Sequence, residues 1–206
     1  MKNLFLVIIC FIAPFVASAQ LSGSNTQLGF TVSPNLGWLS GDGSINDGTR
    51  AGVSYGLLAD LALSSNYYFS SGFTITSING RAMEEQTSTN YKIKYIEVPL
   101  TLKLKSQPTS IGRYYGQFGL GTGYKIGAKA DISEGVGTTK RTDVDISSNI
   151  NFFRISMIAG AGVEWKVNES LNVMTGLTYN NGFTSMNDEG TKIKNSYLAL
   201  TLGIFF

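Results

Sequence analysis

The chain has no histidine at all. That excludes Ser-His and Cys-His catalytic pairs and every His-ligated metal site in one step. Its single cysteine, Cys10, lies in an N-terminal stretch, "MKNLFLVIICFIAPFVASAQ", that has one lysine, an apolar run from Leu4 to Val16 and an Ala17-Ser18-Ala19 site. This is the build of a secretory signal peptide, so residues 1–19 are expected to be removed. The mature chain of about 187 residues then has no cysteine, and so no disulfide, thiol nucleophile or thiolate metal site. Proline is scarce, at four. Beyond the leader no apolar run approaches the roughly 20 residues of a membrane-spanning helix. The charge balance of 16 Lys+Arg against 14 Asp+Glu, net +2, builds no basic field for nucleic acid.

What the chain does have is alternation. Eight runs place apolar residues at every second position, the period of a two-faced strand. The first has Leu28, Phe30, Val32, Leu36 and Trp38 on one side and Gln27, Thr31, Ser33 and Asn35 on the other. The second alternates from Ala51 to Leu63 around Asp60, and the third, "YYFSSGFTITS", is less regular. The fourth, "YIEVPLTLKLK", sets Ile96, Val98, Leu100, Leu102 and Leu104 against Glu97, Pro99, Thr101, Lys103 and Lys105. The remaining four run from Tyr114 to Ile126, Phe153 to Val167, Leu171 to Phe183 and Tyr197 to Phe206.

The links after the second, fourth and sixth runs are short, whereas those around residues 40–49, 79–90, 131–149 and 184–195 are longer. An even number of strands long enough to cross a bilayer, with short turns at one end and long polar loops at the other, predicts an all-β fold. The expected architecture is an eight-stranded antiparallel up-and-down transmembrane β-barrel over residues 20–206. Tyr67, Tyr114, Trp165 and Phe206 would form an aromatic girdle at the short-turn end, and Trp38, Tyr179 and Phe183 one at the long-loop end. A soluble barrel would carry charge on its outside; here the apolar faces carry almost none.

Two features of the fourth run raise questions. Tyr91, Ile93 and Tyr95 are odd-numbered and the apolar positions from Ile96 onward are even, which predicts a bulge near Tyr95 and Ile96, or a strand start projecting beyond the membrane. Pro99 cannot donate to a ladder, and a closed barrel has no edge to hide it, so a bulge or a lumenal group must absorb the missing donor.

These residues resemble a known family. "YIEVPLTLKLK", with Glu97 and Pro99, is similar to the signature of the PorT-type outer-membrane β-barrel family of Bacteroidetes. "YYGQFGLGTGYKIG", "AGAGVEW", "LTYNNGFTSM" and "YLALTLGIFF" are similar to its later strands. The resemblance implies a barrel of the bacterial outer membrane with both termini in the periplasm and long loops outside the cell. It also implies that Phe206 ends a strand read by the barrel-assembly machinery. One member type assists protein secretion, so a secretion or envelope-assembly complex is a candidate partner beside outer-membrane lipid.

An eight-stranded barrel is just wide enough to be filled by its own side chains. Asp60, Glu97, Lys103, Lys125, Arg154, Glu164 and Lys166 are the candidate lumenal charges. Glu97 and Glu164 are expected to pair with Arg154, Lys125 or Lys103, because unpaired buried charge is costly. Gly119, Gly121, Gly123, Gly160 and Gly162 would make room for Tyr68, Tyr197, Phe205 and Arg154. No cofactor motif appears. The acidic pairs Glu84-Glu85 and Asp188-Glu189 fall on expected loops, and Asp131, Glu134, Asp143 and Asp145 lack calcium-loop spacing. The expected role is a non-catalytic, single-chain structural or interaction barrel; the alternative is a narrow porin-like transporter or small-ligand-binding barrel.

Overall fold

The computed structural model describes residues 26–41, 48–84, 87–134, 139–186 and 192–206; residues 1–19, and with them the expected leader, lie outside the described residues. Nine strands follow in order: β1 Gln27–Gly41, β2 Arg50–Ala62, β3 Tyr67–Glu84, β4 Thr87–Lys105, β5 Gly112–Glu134, β6 Thr139–Asp145, β7 Phe153–Lys166, β8 Asn172–Gly182 and β9 Ile193–Phe205. A single 3₁₀ turn, Ser147–Asn149, precedes β7. All pairings are antiparallel, and eight strands close into a barrel in the cyclic order β1-β2-β3-β4-β5-β7-β8-β9. At the seam, Leu28 and Phe206 exchange both backbone hydrogen bonds, at 3.0 and 2.8 Å. β6, within the stretch expected to be loop, pairs with the upper part of β5 only.

Alternation sorts the faces by medium. Phe73 and Phe118 point outward and are 66% and 61% exposed, while Thr31 and Lys103 point inward at 5% and 0%. A water-soluble barrel could not leave such a belt uncovered; lipid is the medium that makes it favourable. The belt runs from Leu28 to Trp38 on β1, Ile96 to Leu104 on β4 and Tyr114 to Tyr124 on β5, about the nine to eleven residues that a tilted strand needs. Tyr67, Tyr114, Trp165 and Phe206 are exposed at its short-turn edge, and Tyr179 and Phe183 at the other, where Trp38 stacks on Tyr179 with ring centroids 6.0 Å apart.

The expected loop at 79–90 is instead a projecting hairpin. β3 and β4 stay paired as far as Glu84 and Thr87. Nor does β4 itself bulge at Tyr95 and Ile96: Ile93, Tyr95, Glu97, Thr101, Lys103 and Lys105 are all buried, in one unbroken phase. A register shift between Lys94 and Tyr95 is taken up on β5, where Ile126 is the extra residue. What reverses at that level is the medium. Above the belt the inward residues Leu39, Ile78, Ala82, Ile93, Tyr95 and Ala128 form an apolar core, and Lys92, Lys94 and Lys129 face outward. The pattern is polar-in within lipid and apolar-in beyond it, on the same strand.

Pro99 keeps its place opposite Gly121 on β5, and its missing donor faces β3. There the ladder lapses, pairing Leu100 with Ser71 and resuming at Glu97 with Thr74. The lapse sits at Gly72, whose φ is +155° and where a Cβ would come within 2.1 Å of the Leu57 carbonyl oxygen. Only glycine fits that conformation and that approach.

Candidate functional site

Inside the belt, the inward positions of β2, β4, β7, β8 and β9 carry two separate polar tiers. The upper one, below the apolar core, centres on Arg154 of β7. Its guanidinium donates to Glu97 Oε1 at 2.8 Å, Asn195 Oδ1 at 2.6 Å, Asn180 Oδ1 at 2.7 Å and the Asn195 carbonyl at 3.0 Å. The Tyr197 hydroxyl donates to the other oxygen of Glu97 at 3.1 Å and accepts from Asn180 at 3.1 Å. The planar fork of arginine suits such a many-partnered site, and charge-assisted bonds of this kind offset the cost of burying the ions. Arg154 and Glu97 are both buried.

The lower tier joins two lysines and two carboxylates. Lys103 and Lys105, successive inward residues of β4, approach Asp60 Oδ2 at 2.8 and 3.0 Å. Lys105 also reaches Glu164 at 2.9 Å and Gln27 at 2.9 Å, and Lys103 lies 3.8 Å from Glu164. The Ser70 hydroxyl donates to Asp60 at 2.6 Å. Aromatic faces complete the cage: Lys103 lies 5.3 and 5.0 Å from the ring centres of Tyr115 and Phe205, and Lys105 lies 4.1 Å from that of Tyr68, within the reach of cation–π attraction. Three carboxylates and three cations fill the two tiers, so the formal charges of the tiers balance, and Arg113 of β5 adds a cation at the short-turn end, donating to the Tyr68 hydroxyl at 3.1 Å. Between the tiers lies a chamber of about 80 Å³, lined by Thr31, Ser33, Ser54, Gln117 and Thr201 among others.

Of the expected lumenal charges, Asp60, Glu97, Lys103, Arg154 and Glu164 come together in these tiers. Lys125 does not. Its ammonium donates to the carbonyl oxygens of Ser147 and Ile150, because it sits at the β5 register shift, above the belt, where it pins the 3₁₀ turn. Lys166 is exposed at the short-turn rim. Sequence reasoning missed Lys105, Asn180, Asn195 and Tyr115. Lys105 was within reach by parity, being two residues beyond Lys103, but a lysine at a strand end reads equally as a solvated one. The glycine expectation also shifts: a Cβ on Gly162 or Gly176 would come within 2.8 or 2.2 Å of Tyr115, and one on Gly29 within 2.8 Å of Phe205.

Two acidic residues of the β5–β6 hairpin pair with a lysine of β4. Lys92 Nζ lies 2.7 Å from Asp131 and 3.5 Å from Asp143. The hydrogen bond from Lys92 holds the Asp131 carboxyl below its ordinary range, and the Ser147 backbone N–H does the same for Asp145. Among the described residues no cluster of three or more carboxylates is placed to hold a metal. Glu134 ends β5 and Glu84 ends β3; Glu85, Asp188 and Glu189 lie outside the described residues.

A closed eight-stranded barrel with an apolar belt and a polar, ion-paired interior defines a small outer-membrane barrel protein. Residues 18–188 match the family described as "Outer membrane protein beta-barrel domain", and the chain belongs to that family. No curated protein matches it. Among solved structures it is similar to Neisserial surface protein A, at 15% identity and a TM-score of 0.53, with 90% of this chain and 100% of that one covered. It is also similar to OprG from Pseudomonas aeruginosa, at 10% identity and a TM-score of 0.45, covering 89% and 96%. At such identities the likeness to Neisserial surface protein A speaks to the fold alone.

Proposed function

We propose that this outer-membrane protein is a sealed, non-catalytic barrel that presents the β3–β4 and β5–β6 hairpins as an interaction surface. The observation that carries this reading is the pair of ionic tiers. Each sets side chains bonded to one another across the lumen, and the three acids and three bases of the tiers balance in formal charge. The long-loop end is taken to face outside the cell, with both ends of the mature chain periplasmic. Hairpins projecting from a rigid scaffold are where binding residues concentrate.

A finer assignment, to the PorT-type family and to service in a secretion or envelope-assembly complex, rests on the "YIEVPLTLKLK" strand and its resemblance. Reconstitution in planar lipid bilayers tests the sealed reading: the intact protein is expected to give no stepwise conductance, and steady open-channel steps would overturn it in favour of a narrow transporter. Crosslinking in intact outer membranes tests the finer one. Capture of periplasmic or membrane components of such a machine supports it, and capture of lipid alone counts against it.

A further inference from the structure

Above the upper tier, at the long-loop end, the projecting strands enclose a cavity of about 630 Å³. Its size falls within the range of small-molecule sites, roughly 300–1,000 Å³. Ala130 and Ile132 of β5 form one wall, and Ile146, Ile150 and Met186 form another. Thr89, Ser148 and Asn149 supply the polar atoms. Among the described residues Tyr91 is the one ionisable side chain in the lining. This contrasts with the lumen below, where six charged side chains pair within the two tiers.

The floor is closed. Ile150 and Met186 are 5% and 3% exposed and belong to the apolar core that includes Tyr95 and Tyr197, and beneath these lies the Arg154–Glu97 pair. A molecule entering from the long-loop end therefore stops in the cavity. A charged head would find no charged side chain among the described lining residues, and the Lys125 ammonium beside them is already taken up by the Ser147 and Ile150 carbonyls, so it would carry a desolvation cost, whereas an alcohol or amide could hydrogen-bond to the hydroxyls and the Asn149 amide. An alkyl or aromatic body would cover the half-buried Ile132 and Ile146 side chains.

We infer that this cavity is a dead-end binding site for an uncharged amphiphile, with its apolar body against Ile132, Ile146 and Met186 and its hydrogen-bonding head at Ser148 and Asn149. The inference goes beyond the sealed-barrel proposal and does not depend on it, because occupancy is read without conductance.

The test uses the full mature protein in lipid vesicles and a decanol carrying a diazirine, with labelled residues mapped by mass spectrometry. Label is expected on the cavity wall, at Ile132, Met186 or Tyr91, and should fall at least tenfold under excess plain decanol. Label on the lipid-facing Phe118 and Leu200 is nonspecific partition and should hardly change. Ala130→Trp, which fills the cavity, should abolish the wall label and spare the belt label. Wall label that resists competition, or that persists in a folded Ala130→Trp protein, would overturn the site, as would label on the belt alone. Should Ala130→Trp fail to fold, competition on the unmodified protein decides. A decyl sulfate diazirine that labels the wall as strongly as the decanol would overturn the requirement for an uncharged head.

Discussion

Arg154 and Glu97, 57 residues apart in sequence, meet at 2.8 Å across the lumen from β7 and β4. Between them they take up both oxygens of the carboxylate and all three nitrogens of the guanidinium, with Asn180, Asn195 and Tyr197 as the other partners. Removing one member leaves the other buried and unpaired. Arg154→Met is expected to cost about 3–5 kcal/mol, the range for breaking a buried pair. The double variant Arg154→Met/Glu97→Leu should recover a large part of that loss. Urea unfolding in lipid vesicles measures both single variants and the double, and a double variant that loses the sum of the two single losses would show that the two side chains act independently.

The lower tier is unequal in its parts. Asp60 serves both lysines and Ser70, while Glu164 makes one short contact, to Lys105, and one long one, to Lys103. Asp60→Asn should therefore destabilise the barrel more than Glu164→Gln, by about 1–3 kcal/mol, the cost of leaving a buried charged partner unsatisfied. The same unfolding experiment ranks the two, and a reversed order would contradict this division of roles.

How far the sequence led depended on whether its signal was periodic. Strand number, faces and belt were legible because alternation is local and lipid reverses its usual sense along eight runs. The projecting β3–β4 hairpin was legible only as one of two readings of the phase change, beside a bulge, and the β5–β6 hairpin was not. From Tyr91 to Tyr95 an apolar residue faces inward, as in a soluble sheet, and the change of medium at Ile96 mimics a bulge. Asp60, Glu97, Lys103, Arg154 and Glu164 could be named as lumenal from parity. Their partition into two tiers could not, because it depends on the stagger of strands, which brings Lys105 to Glu164 and takes Lys125 out to the 3₁₀ turn.

Tyr115 is held by glycines on β7 and β8. A Cβ on Gly176 would lie 2.2 Å from the phenol oxygen and 2.6 Å from the Ala161 carbonyl oxygen. Gly176→Ala is thus expected to destabilise by about 1–3 kcal/mol, as overpacking does. Adding Tyr115→Phe should restore only part of this, since the contact with the Ala161 backbone remains. Full restoration would place the whole strain on the phenol.

The β5–β6 hairpin should respond to pH through Asp131 and Asp145. Both carboxyls are held below the ordinary aspartate value of 3.8, the first by Lys92 and the second by the Ser147 backbone. A carboxyl whose folded value is lowered stabilises the hairpin above the unfolded pKa, and that contribution is lost as pH falls through the folded value. Carboxyl chemical shifts measured by NMR should titrate below 3.8 for both. Lys92→Met should move Asp131 upward and leave Asp145 in place; a joint shift would mean that the two are coupled through the hairpin.

The last two residues separate stability from assembly. Phe205 is fully buried beside Lys103 and Lys105, with ring centres 5.0 and 6.0 Å from their ammonium groups. Phe206 faces lipid at 58% exposure and meets Phe30 at a ring separation of 6.0 Å. Truncating a buried phenylalanine costs about 3–5 kcal/mol, and Phe205→Ala also uncovers a caged charge, so its unfolding midpoint should drop sharply. Phe206→Ala keeps the backbone bonds to Leu28 that close the barrel, and its midpoint in vesicles should move little. If Phe206 is also the residue that the assembly machinery reads, insertion in cells should slow for Phe206→Ala while the purified protein remains as stable as the original. Normal insertion of that variant would remove Phe206 as an assembly signal and leave it as part of the lipid-facing girdle.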